Sequence, residues 1–372
     1  MYQWSDRYSV ITVEGTRRND HLRYKLFGKH TGLRVSELVL GTANFGTAWG
    51  GHGAEPEEAR RIFDSYAEAG GNFLDSANGY QEGQSEVVLG DLLEGRRDEF
   101  VLSTKFAVKT NADSGLLVTG NSRQAMVLSV EASLKRLKTD RIDLYWAHVS
   151  DGVTPLEEIV RGFDDLVRAG KILYAGLSNF PAWRVSRAAT IAEIRGTVPI
   201  AGIQVEHSLV QRATEQELIP ASQALGLGVV AYSPLGGGVL TGKYRSGKSE
   251  NRRDEAWAGA GFQPENSQQR TVIIDTLIAV ADEAGVTPGE IAIAWVAAKG
   301  SLPIIGPRTL SQLQTNLAAA QVALSPEQVS RLDGVSEIAR GYPYTVLDDP
   351  RIQDLITGGR FDQIDFPGEP AA

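Results

Sequence analysis

Residues 142–178 read IDLYWAHVSDGVTPLEEIVRGFDDLVRAGKILYAGLS, and this stretch contains the structural unit that repeats along the chain. The segments 142–148 and 172–178 are short apolar runs of the length expected for buried strands. Between them, 156–169 places apolar residues three and four positions apart, which predicts an amphipathic helix. A strand, a helix and a second strand in this order predict two parallel strands joined by a helix.

The same alternation continues on both sides of this unit. Strands are predicted at 39–43, 72–76, 101–106, 142–148, 172–178, 200–205, 228–233 and 302–305, with helical segments such as 127–137 between them. Eight strands, each followed by a helix, are typical of a (β/α)8 TIM barrel, which is the predicted α/β fold. No linker divides residues 23–340, so this part of the chain is predicted to form a single domain.

Four segments depart from this alternation. Residues 1–22 are predicted to be an N-terminal extension, and residues 341–372 an irregular C-terminal tail. Segments 23–27 and 33–35 flank the turn GKHTG, which predicts a hairpin that closes the bottom of the barrel. After strand seven, a polar insertion spans about 244–269, and a loop of that length in a compact domain is usually functional or mobile.

Composition and charge narrow the classes of function. The 372-residue chain has a formal net charge of -9, which argues against broad binding to nucleic acid or to anionic membranes. It has no cysteine, which excludes disulfides, thiolate metal sites and cysteine nucleophiles. Its five histidines lack the spacing of a zinc-binding helix, so no metal is predicted. Because the chain has neither a membrane-length apolar run nor a signal-peptide pattern, we expect a cytoplasmic enzyme that acts on a small molecule.

Four ionisable residues stand at or just beyond the predicted carboxyl ends of strands, where barrels of this kind carry their chemistry. Asp75 ends the second strand, Tyr80 follows it in a polar loop, Lys105 closes the third strand and His148 the fourth. Each alone has an ordinary interpretation, since a strand-end lysine is usually solvated and a histidine after LYWA is usually a core residue. Because all four stand at or just beyond the carboxyl ends of three neighbouring strands, we expect their side chains to face one shared cavity.

The residue types suggest acid–base chemistry. A free tyrosine titrates near about 10, which is too high for an efficient acid at neutral pH. A lysine cation would lower the pKa of Tyr80, and Asp75 would keep Lys105 charged and in place. Tyr80 would then donate a proton while His148 orients a carbonyl. These four residues alone leave carbonyl reduction, an aldolase step and an isomerase step open.

Several motifs in a fixed order carry a family resemblance over about residues 24–335. They are FGKHTGLRVSELVLGTANFG, NFLDSANGYQEGQSEVVLG, VLSTKF, SVEASLKRLKTDRIDLYWAHVSD, GLSNF, IQVEHSLVQR and VVAYSPLGGGVLTGKY. The chain resembles the aldo-keto reductases, which are (β/α)8 barrels that reduce aldehydes and ketones with NADPH. Within that family it is similar to bacterial members of the potassium-channel-β-like and general aldehyde-ketone reductase branches.

The resemblance implies that Asp75, Tyr80, Lys105 and His148 form the catalytic tetrad of the family. His148 is the informative member, because some relatives, including potassium-channel β subunits, have asparagine at that position. The implied reaction is NADPH-dependent reduction of an aldehyde or ketone, with Tyr80 as the proton donor.

The resemblance also implies an NADPH site, with NADH as the alternative cofactor. The residues that match the family's cofactor contacts are Gly41, Thr42, Asp75, Ser178, Asn179, Gln204, Tyr232, Ser233, Pro234, Leu235, Gly237, Thr241, Lys243, Arg253, Arg308, Gln312 and Asn316. Arg308 is the candidate for the 2′-phosphate, because a guanidinium binds phosphate bidentately. Gln312 replaces an arginine of some relatives and Gly306 a basic residue, which weakens the preference for NADPH.

The substrate pocket is expected to have an aromatic rim. Its predicted residues are Phe45, Trp49, Tyr80, Trp146 and His148, with His207, Trp257 and Phe262 as further candidates. Two other functions stay open: a non-catalytic NADPH-binding sensor or subunit, and a lyase that uses Lys105 as a Schiff-base nucleophile. A homo-oligomer is also left open.

Overall fold

A computed structural model describes residues 21–246 and 265–364 of the chain. Its strands are β1 (Tyr24–Leu26), β2 (Arg34–Ser36), β3 (Val39–Gly41), β4 (Phe73–Asp75), β5 (Val101–Phe106), β6 (Ile142–Ala147), β7 (Ile172–Ser178), β8 (Ile200–Glu206), β9 (Gly228–Tyr232) and β10 (Leu302–Ile305). The last eight form a closed barrel of parallel strands in the order β10-β3-β4-β5-β6-β7-β8-β9. The predicted (β/α)8 barrel is confirmed, and each barrel strand lies at its predicted position to within two residues at either end.

The described helices surround this barrel. They are α1 (Pro56–Glu68), α2 (Gln84–Leu92), α3 (Arg123–Arg136), α4 (Leu156–Arg168), α5 (Ala182–Arg195), α6 (Leu218–Ala224), α7 (Gln268–Ala284), α8 (Pro288–Ala298), α9 (Leu310–Ala318), α10 (Pro326–Ser336), α11 (Tyr344–Leu347) and α12 (Pro350–Thr357). The apolar residues of α4, including Ile159 and Phe163, are buried, as their three- and four-residue spacing predicts. None of the helices in the described ranges is long and apolar enough to cross a membrane.

The predicted N-terminal hairpin closes one end of the barrel. Strands β1 and β2 pair antiparallel, and Phe27, which directly follows β1, is fully buried. Its ring packs edge-on against Phe73 and Trp146. Gly202 and Gly228 make room for this ring, because a Cβ atom on either would lie 2.5–2.6 Å from its carbons. Phe27 therefore fills the end of the barrel opposite the carboxyl ends of the strands.

The segment after residue 340 differs from the prediction of an irregular tail. It contains the short helices α11 and α12, and the second begins with Pro350 after Asp349, whose side chain accepts a hydrogen bond from the Arg351 amide. Proline in the first helical turn and a preceding aspartate are standard helix-start signals. The sequence at Asp349 and Pro350 therefore carried a helix-start signal, although the composition of the tail is typical of an irregular segment. Residues 365–372 lie outside the described part.

Candidate active site

The carboxyl ends of β4, β5 and β6 bring the four predicted ionisable residues together. Asp75 is the last residue of β4, Lys105 the penultimate residue of β5, and His148 directly follows β6. Tyr80 begins a 3₁₀ turn after β4. Because neighbouring parallel strands end at the same edge of the barrel, residues up to 73 positions apart in sequence, Asp75 and His148, face one cavity.

Lys105 is the centre of this cluster. Its side chain is fully buried, and its ammonium nitrogen donates hydrogen bonds to Asp75 Oδ2 at 2.5 Å, the Ser76 carbonyl at 2.6 Å and the Tyr80 hydroxyl at 3.1 Å. An ammonium group has three protons to donate, so these acceptors satisfy it completely. The contact with Tyr80 gives the lysine the position required to stabilise a phenolate.

Asp75 is held by two further donors. Its Oδ1 atom accepts hydrogen bonds from Ser103 Oγ at 2.8 Å and from Gln204 Nε2 at 2.9 Å, which leaves Oδ2 for Lys105. The sequence analysis did not identify Ser103. The available signal was its spacing, because Ser103 and Lys105 are two positions apart and therefore point to the same face of the strand.

Burial dominates the acid–base properties of Tyr80. Desolvation raises its pKa, and the adjacent Lys105 cation opposes this rise without cancelling it. The expectation that Lys105 would bring the pKa of Tyr80 below its ordinary value is therefore wrong in its net direction. The pKa of Lys105 is itself raised: burial lowers it, but the charge of Asp75 together with the interactions with Tyr80 and the hydrogen bonds to both residues outweighs that loss. At neutral pH the site holds a protonated phenol beside an ammonium ion.

His148 is neutral at physiological pH. Burial, reinforced by the Lys105 charge, lowers its pKa from 6.5 to about 3. Its ring packs edge-on against the Tyr80 ring, with centroids 6.0 Å apart. Its Nδ1 atom is buried without a hydrogen-bond partner, whereas its backbone amide donates to the Phe106 carbonyl. A neutral imidazole in this position can donate one hydrogen bond to a substrate oxygen.

These groups open into a cavity of about 490 Å³ at the carboxyl ends of the strands. The predicted site residues that line it are Gly41, Trp49, Asp75, Tyr80, His148, Asn179, Gln204, Tyr232, Ser233, Pro234, Leu235 and Gly237. Further lining residues, which were not predicted, are Ala43, Glu206, Ile293, Ile304, Ile305 and Gly306. The volume and the mixture of apolar walls with a few polar groups are typical of a site for a small organic molecule. Among the described residues, no group of three or more His, Asp or Glu side chains is placed to hold a metal ion.

Sequence comparison assigns this barrel to a family. The sequence profile described as "Aldo/keto reductase family" matches residues 37–337, which includes all eight barrel strands and the four clustered residues. The chain belongs to the aldo/keto reductase family. It is 30% identical to an aryl-alcohol dehydrogenase [NADP(+)] of Phanerodontia chrysosporium over 94% of this chain and 95% of that protein. It is 33% identical to a norsolorinic acid reductase of Aspergillus flavus (90% and 86%), and 35% identical to an uncharacterized oxidoreductase of Bacillus subtilis (84% and 96%).

In this aldo/keto reductase, Asn179 and Tyr232 form a polar pair on the cavity wall. The Tyr232 hydroxyl donates to Asn179 Oδ1 at 2.9 Å, and Asn179 Nδ2 donates to the His148 carbonyl and to Ser178 Oγ. Asn179 has a φ of 54°, in the left-handed region that asparagine tolerates better than most residues. Ser178 is buried behind this pair and does not line the cavity.

The glycine-rich segment after β9 brings backbone close to the cavity. Gly236, Gly237 and Gly238 all have positive φ angles, between 55° and 101°, and Gly237 lines the cavity. Beyond them, the Thr241 hydroxyl donates to the Gly238 carbonyl, which stabilises the turn. Lys243 is exposed, and its ammonium group lies over the Tyr244 ring, 5.0 Å from the centroid. Thr241 and Lys243 therefore lie outside the cavity lining.

The residues predicted for the adenosine end cluster where α9 begins. The Arg308 amide donates to Gln312 Oε1 at 2.8 Å, and Gly306 lines the cavity beside them. Asn316, one turn further along α9, is largely buried. Arg253, Trp257 and Phe262 lie outside the described residues.

Further predicted residues also lie outside the cavity lining. Phe45 is fully buried in the core between helices and barrel, and Trp146 fills the barrel interior against Phe27, opposite Gly176. Thr42 is also fully buried, with its hydroxyl bonded to the Asp75 carbonyl and Ser85. The structure does not place the predicted substrate residues Phe45 and Trp146 on the cavity wall, because the Phe45 ring packs in the core between helices and barrel and the Trp146 ring packs in the barrel interior. His207 is likewise fully buried, with its ring bonded to Glu215.

Proposed function

We propose that this protein reduces an aldehyde or ketone to an alcohol with NADPH, and that Tyr80 supplies the proton. The single observation that carries the proposal is the 3.1 Å contact between Lys105 Nζ and the Tyr80 hydroxyl at the edge of the cavity. The family membership and the relatives named as dehydrogenase and reductase support the class of reaction.

The residues around the cavity suit a nicotinamide dinucleotide. Tyr232 offers an aromatic face, and Asn179 and Gln204 offer amide groups within the same cavity lining. The consecutive positive-φ glycines 236–238 bring backbone without side chains to its edge, which suits a pyrophosphate. When bound there, NADPH would supply the hydride that reduces the carbonyl carbon.

Side chains of the protein would bind and protonate the carbonyl oxygen of the substrate. Neutral His148 would donate a hydrogen bond that orients the carbonyl oxygen, and Tyr80 would transfer its phenolic proton to that oxygen. The Lys105 cation would then stabilise the resulting phenolate, because a positive charge at about 3 Å favours the negative form. Asp75, held by Ser103 and Gln204, keeps Lys105 charged and aimed at Tyr80.

The same geometry weighs against the two other functions considered. A Schiff-base lyase needs a neutral lysine, whereas Lys105 donates three hydrogen bonds and its pKa is raised. A protein that only bound the cofactor would have no use for a proton donor and its lysine in direct contact within the cavity. We therefore prefer the catalytic interpretation.

A preference for NADPH and for aromatic carbonyl substrates also forms part of the proposal. Arg308, at the start of α9 beside the cavity, offers a guanidinium for a 2′-phosphate. The Tyr80 ring packs edge-on against the rings of Trp49 and of His148, all three residues line the cavity, and one relative is named an aryl-alcohol dehydrogenase. Aromatic walls favour flat aromatic substrates. A cytoplasmic location and the oligomeric state stay predictions.

The experiment that tests this function is a tryptophan-fluorescence titration with NADPH and NADH, followed by NADPH-oxidation assays with aromatic and aliphatic aldehydes and ketones. We expect tighter binding of NADPH than of NADH, and turnover with at least one aromatic aldehyde. If neither cofactor bound, the reductase function would be rejected. Reduction of Lys105 adducts with borohydride in the presence of a carbonyl compound would then test the lyase.

A further inference from the structure

The residue next to the proton donor ties a loop of the cavity wall in place. We call residues 43–52 the Trp49 loop. Gln81 follows Tyr80 directly and is fully buried. Its side-chain Nε2 donates to the carbonyls of Ala43 and His52, both at 3.1 Å, and its Oε1 accepts from the Trp49 amide at 2.9 Å. One glutamine side chain thus bonds to the beginning, the middle and the end of this loop.

Backbone hydrogen bonds shape the Trp49 loop from within, including those from the Gly51 amide to the Thr47 carbonyl and from the His52 amide to the Trp49 carbonyl, whereas the glycines at its tip make little contact with the rest of the protein. Its sequence from Gly46 is GTAWGGHG, and Gly50 and Gly51 both have positive φ angles. A Cβ atom on Gly51 would meet nothing within 4 Å, and one on Gly50 only the His52 ring, so little of the protein packs against this tip. Glycines also lose more conformational freedom on ordering than other residues do. The side chains of Gln81 and Gln84 supply the hydrogen bonds that join this loop to the segment after β4, with Gln84 Oε1 accepting from the Thr47 amide.

The backbone at Gln81 is unfavourable, which indicates that its side chain matters. Gln81 and Glu82 have φ angles of 48° and 55°, in the left-handed region that residues other than glycine rarely occupy. Such strain persists only where the surroundings determine it, and it concentrates at functional sites. A glycine at position 81 would adopt this backbone without strain but would leave the Trp49 loop without three hydrogen bonds.

The loop matters because Trp49 forms one wall of the cavity. Its ring packs edge-on against the Tyr80 ring at a centroid distance of 6.2 Å, and both rings line the cavity. Gln81 is joined to Tyr80 through the backbone and to Trp49 through a hydrogen bond. Gln81 is therefore linked directly to both residues whose rings pack together at this part of the cavity.

We propose that Gln81 is a positioning residue that gives this reductase its selectivity for flat aromatic carbonyl substrates, by holding Trp49 at a set distance from Tyr80. The inference rests on the proposed carbonyl reduction. Loss of the Gln81 hydrogen bonds would widen the range of positions of Trp49 and weaken binding of a flat ring. A short unbranched aldehyde, which does not need that wall, would be reduced as before.

The test uses two variants of the full-length protein. Gln81→Gly removes the side chain and relieves the backbone strain, so the barrel is expected to stay folded. Gln81→Glu keeps the shape and an acceptor for the Trp49 amide, but directs a carboxylate at the carbonyls of Ala43 and His52. The control is Gln328→Ala, which removes a capping hydrogen bond at the start of α10, away from the cavity.

Two measurements are made on each variant: kcat and KM with an aromatic and a short unbranched aldehyde, and amide hydrogen exchange of the Trp49 loop. We expect Gln81→Gly and Gln81→Glu to lower kcat/KM about tenfold more for the aromatic aldehyde, mainly through KM, which corresponds to roughly one hydrogen bond. Exchange in the Trp49 loop should rise about tenfold, and the NADPH dissociation constant should change less than about twofold. Gln328→Ala should change neither the selectivity nor the exchange of this loop.

Equal losses for the two aldehydes would overturn the selectivity role, and unchanged exchange in the Trp49 loop would overturn the positioning role. Failure of the proposed function gives a different result, because the unmodified protein would then reduce neither aldehyde. In that case the exchange measurement still decides whether Gln81 holds the loop.

Discussion

The ammonium nitrogen of Lys105 lies 3.1 Å from the hydroxyl oxygen of Tyr80, although the two residues are 25 positions apart and belong to a strand and to the loop after its neighbour. The contact forms because β4 and β5 end at the same edge of the barrel, with Asp75 beside Ser103 in register. Burial strengthens the contact, since the Lys105 ammonium group is fully shielded from water and Tyr80 is half-buried at the cavity wall.

Removal of the Tyr80 hydroxyl should slow turnover strongly while leaving the cofactor site intact. We expect Tyr80→Phe to lower kcat by a factor of about 10² or more, because general-acid catalysis contributes about that much. NADPH binding, followed by tryptophan fluorescence, should change little. Tyr24→Phe is the matched control, because the Tyr24 hydroxyl donates to the Gly70 carbonyl at the hairpin end and Tyr24 does not line the cavity. A Tyr80→Phe variant with the unmodified rate on an aldehyde would rule out the proton-donor role.

Removal of the lysine charge should cost stability as well as activity. Lys105→Met leaves the Asp75 carboxylate buried without its ion partner, and such a change destabilises a protein by about 3–5 kcal/mol. The double variant Asp75→Asn, Lys105→Met removes both charges and should regain a large part of that free energy of unfolding, while staying inactive. Urea denaturation measures both effects. A single variant as stable as the unmodified protein would contradict the buried ion pair.

Protonation of His148 should make the free energy of unfolding depend on pH below about pH 6.5. Its pKa is about 3 when folded and 6.5 ordinarily, so between these values the unfolded chain binds more protons than the folded protein. The stabilisation is complete above pH 6.5 and is lost as the pH falls toward 3. From pH 6.5 to 5 the loss is about 2 kcal/mol, at about 1.4 kcal/mol per pH unit.

The comparison that isolates this effect is His148→Asn against the unmodified protein, with urea denaturation at pH 7 and pH 5. The variant should lose about 2 kcal/mol less between the two values, because all other titrating groups are shared. Identical losses in the two proteins would show that His148 titrates near its ordinary pKa.

Arg308 should discriminate between the two cofactors. Arg308→Ala is expected to weaken NADPH binding about tenfold or more and NADH binding little, since only NADPH carries the 2′-phosphate that a guanidinium can bind. Arg331→Ala removes the same charge from α10, where Arg331 pairs with Glu283 of α7, and should affect neither cofactor. Fluorescence titrations give the dissociation constants. Equal weakening of both cofactors by Arg308→Ala would remove the 2′-phosphate assignment.

Prediction from sequence succeeded where a property depends on neighbours in the chain. β7 and β10 were predicted with both ends correct, because each is a short apolar run bounded by loops. Prediction from sequence failed for the direction of individual side chains, because that direction depends on packing against residues distant in sequence. Phe45, Trp146 and Trp49 are aromatic residues of barrel strands or of the loops that follow them, yet of these three only Trp49 lines the cavity. Gln81 was missed because a glutamine in a loop has no distinctive pattern. Ser103 was missed because its spacing from Lys105 indicates only a shared face of the strand, and its contact with Asp75 depends on the neighbouring strand.

The sequence by itself determined the barrel, the strand-end positions of Asp75, Lys105 and His148, and the family, because periodicity and motif order are properties of the linear chain. Only the tertiary structure decided the charge states and the walls of the site. Whether the pKa of Tyr80 rises or falls depends on the balance between burial and the nearby Lys105 cation, and both follow from packing of residues distant in sequence. The hydrogen bonds from Gln81 to the Trp49 loop likewise exist only because folding brings the turn after β4 against the loop after β3.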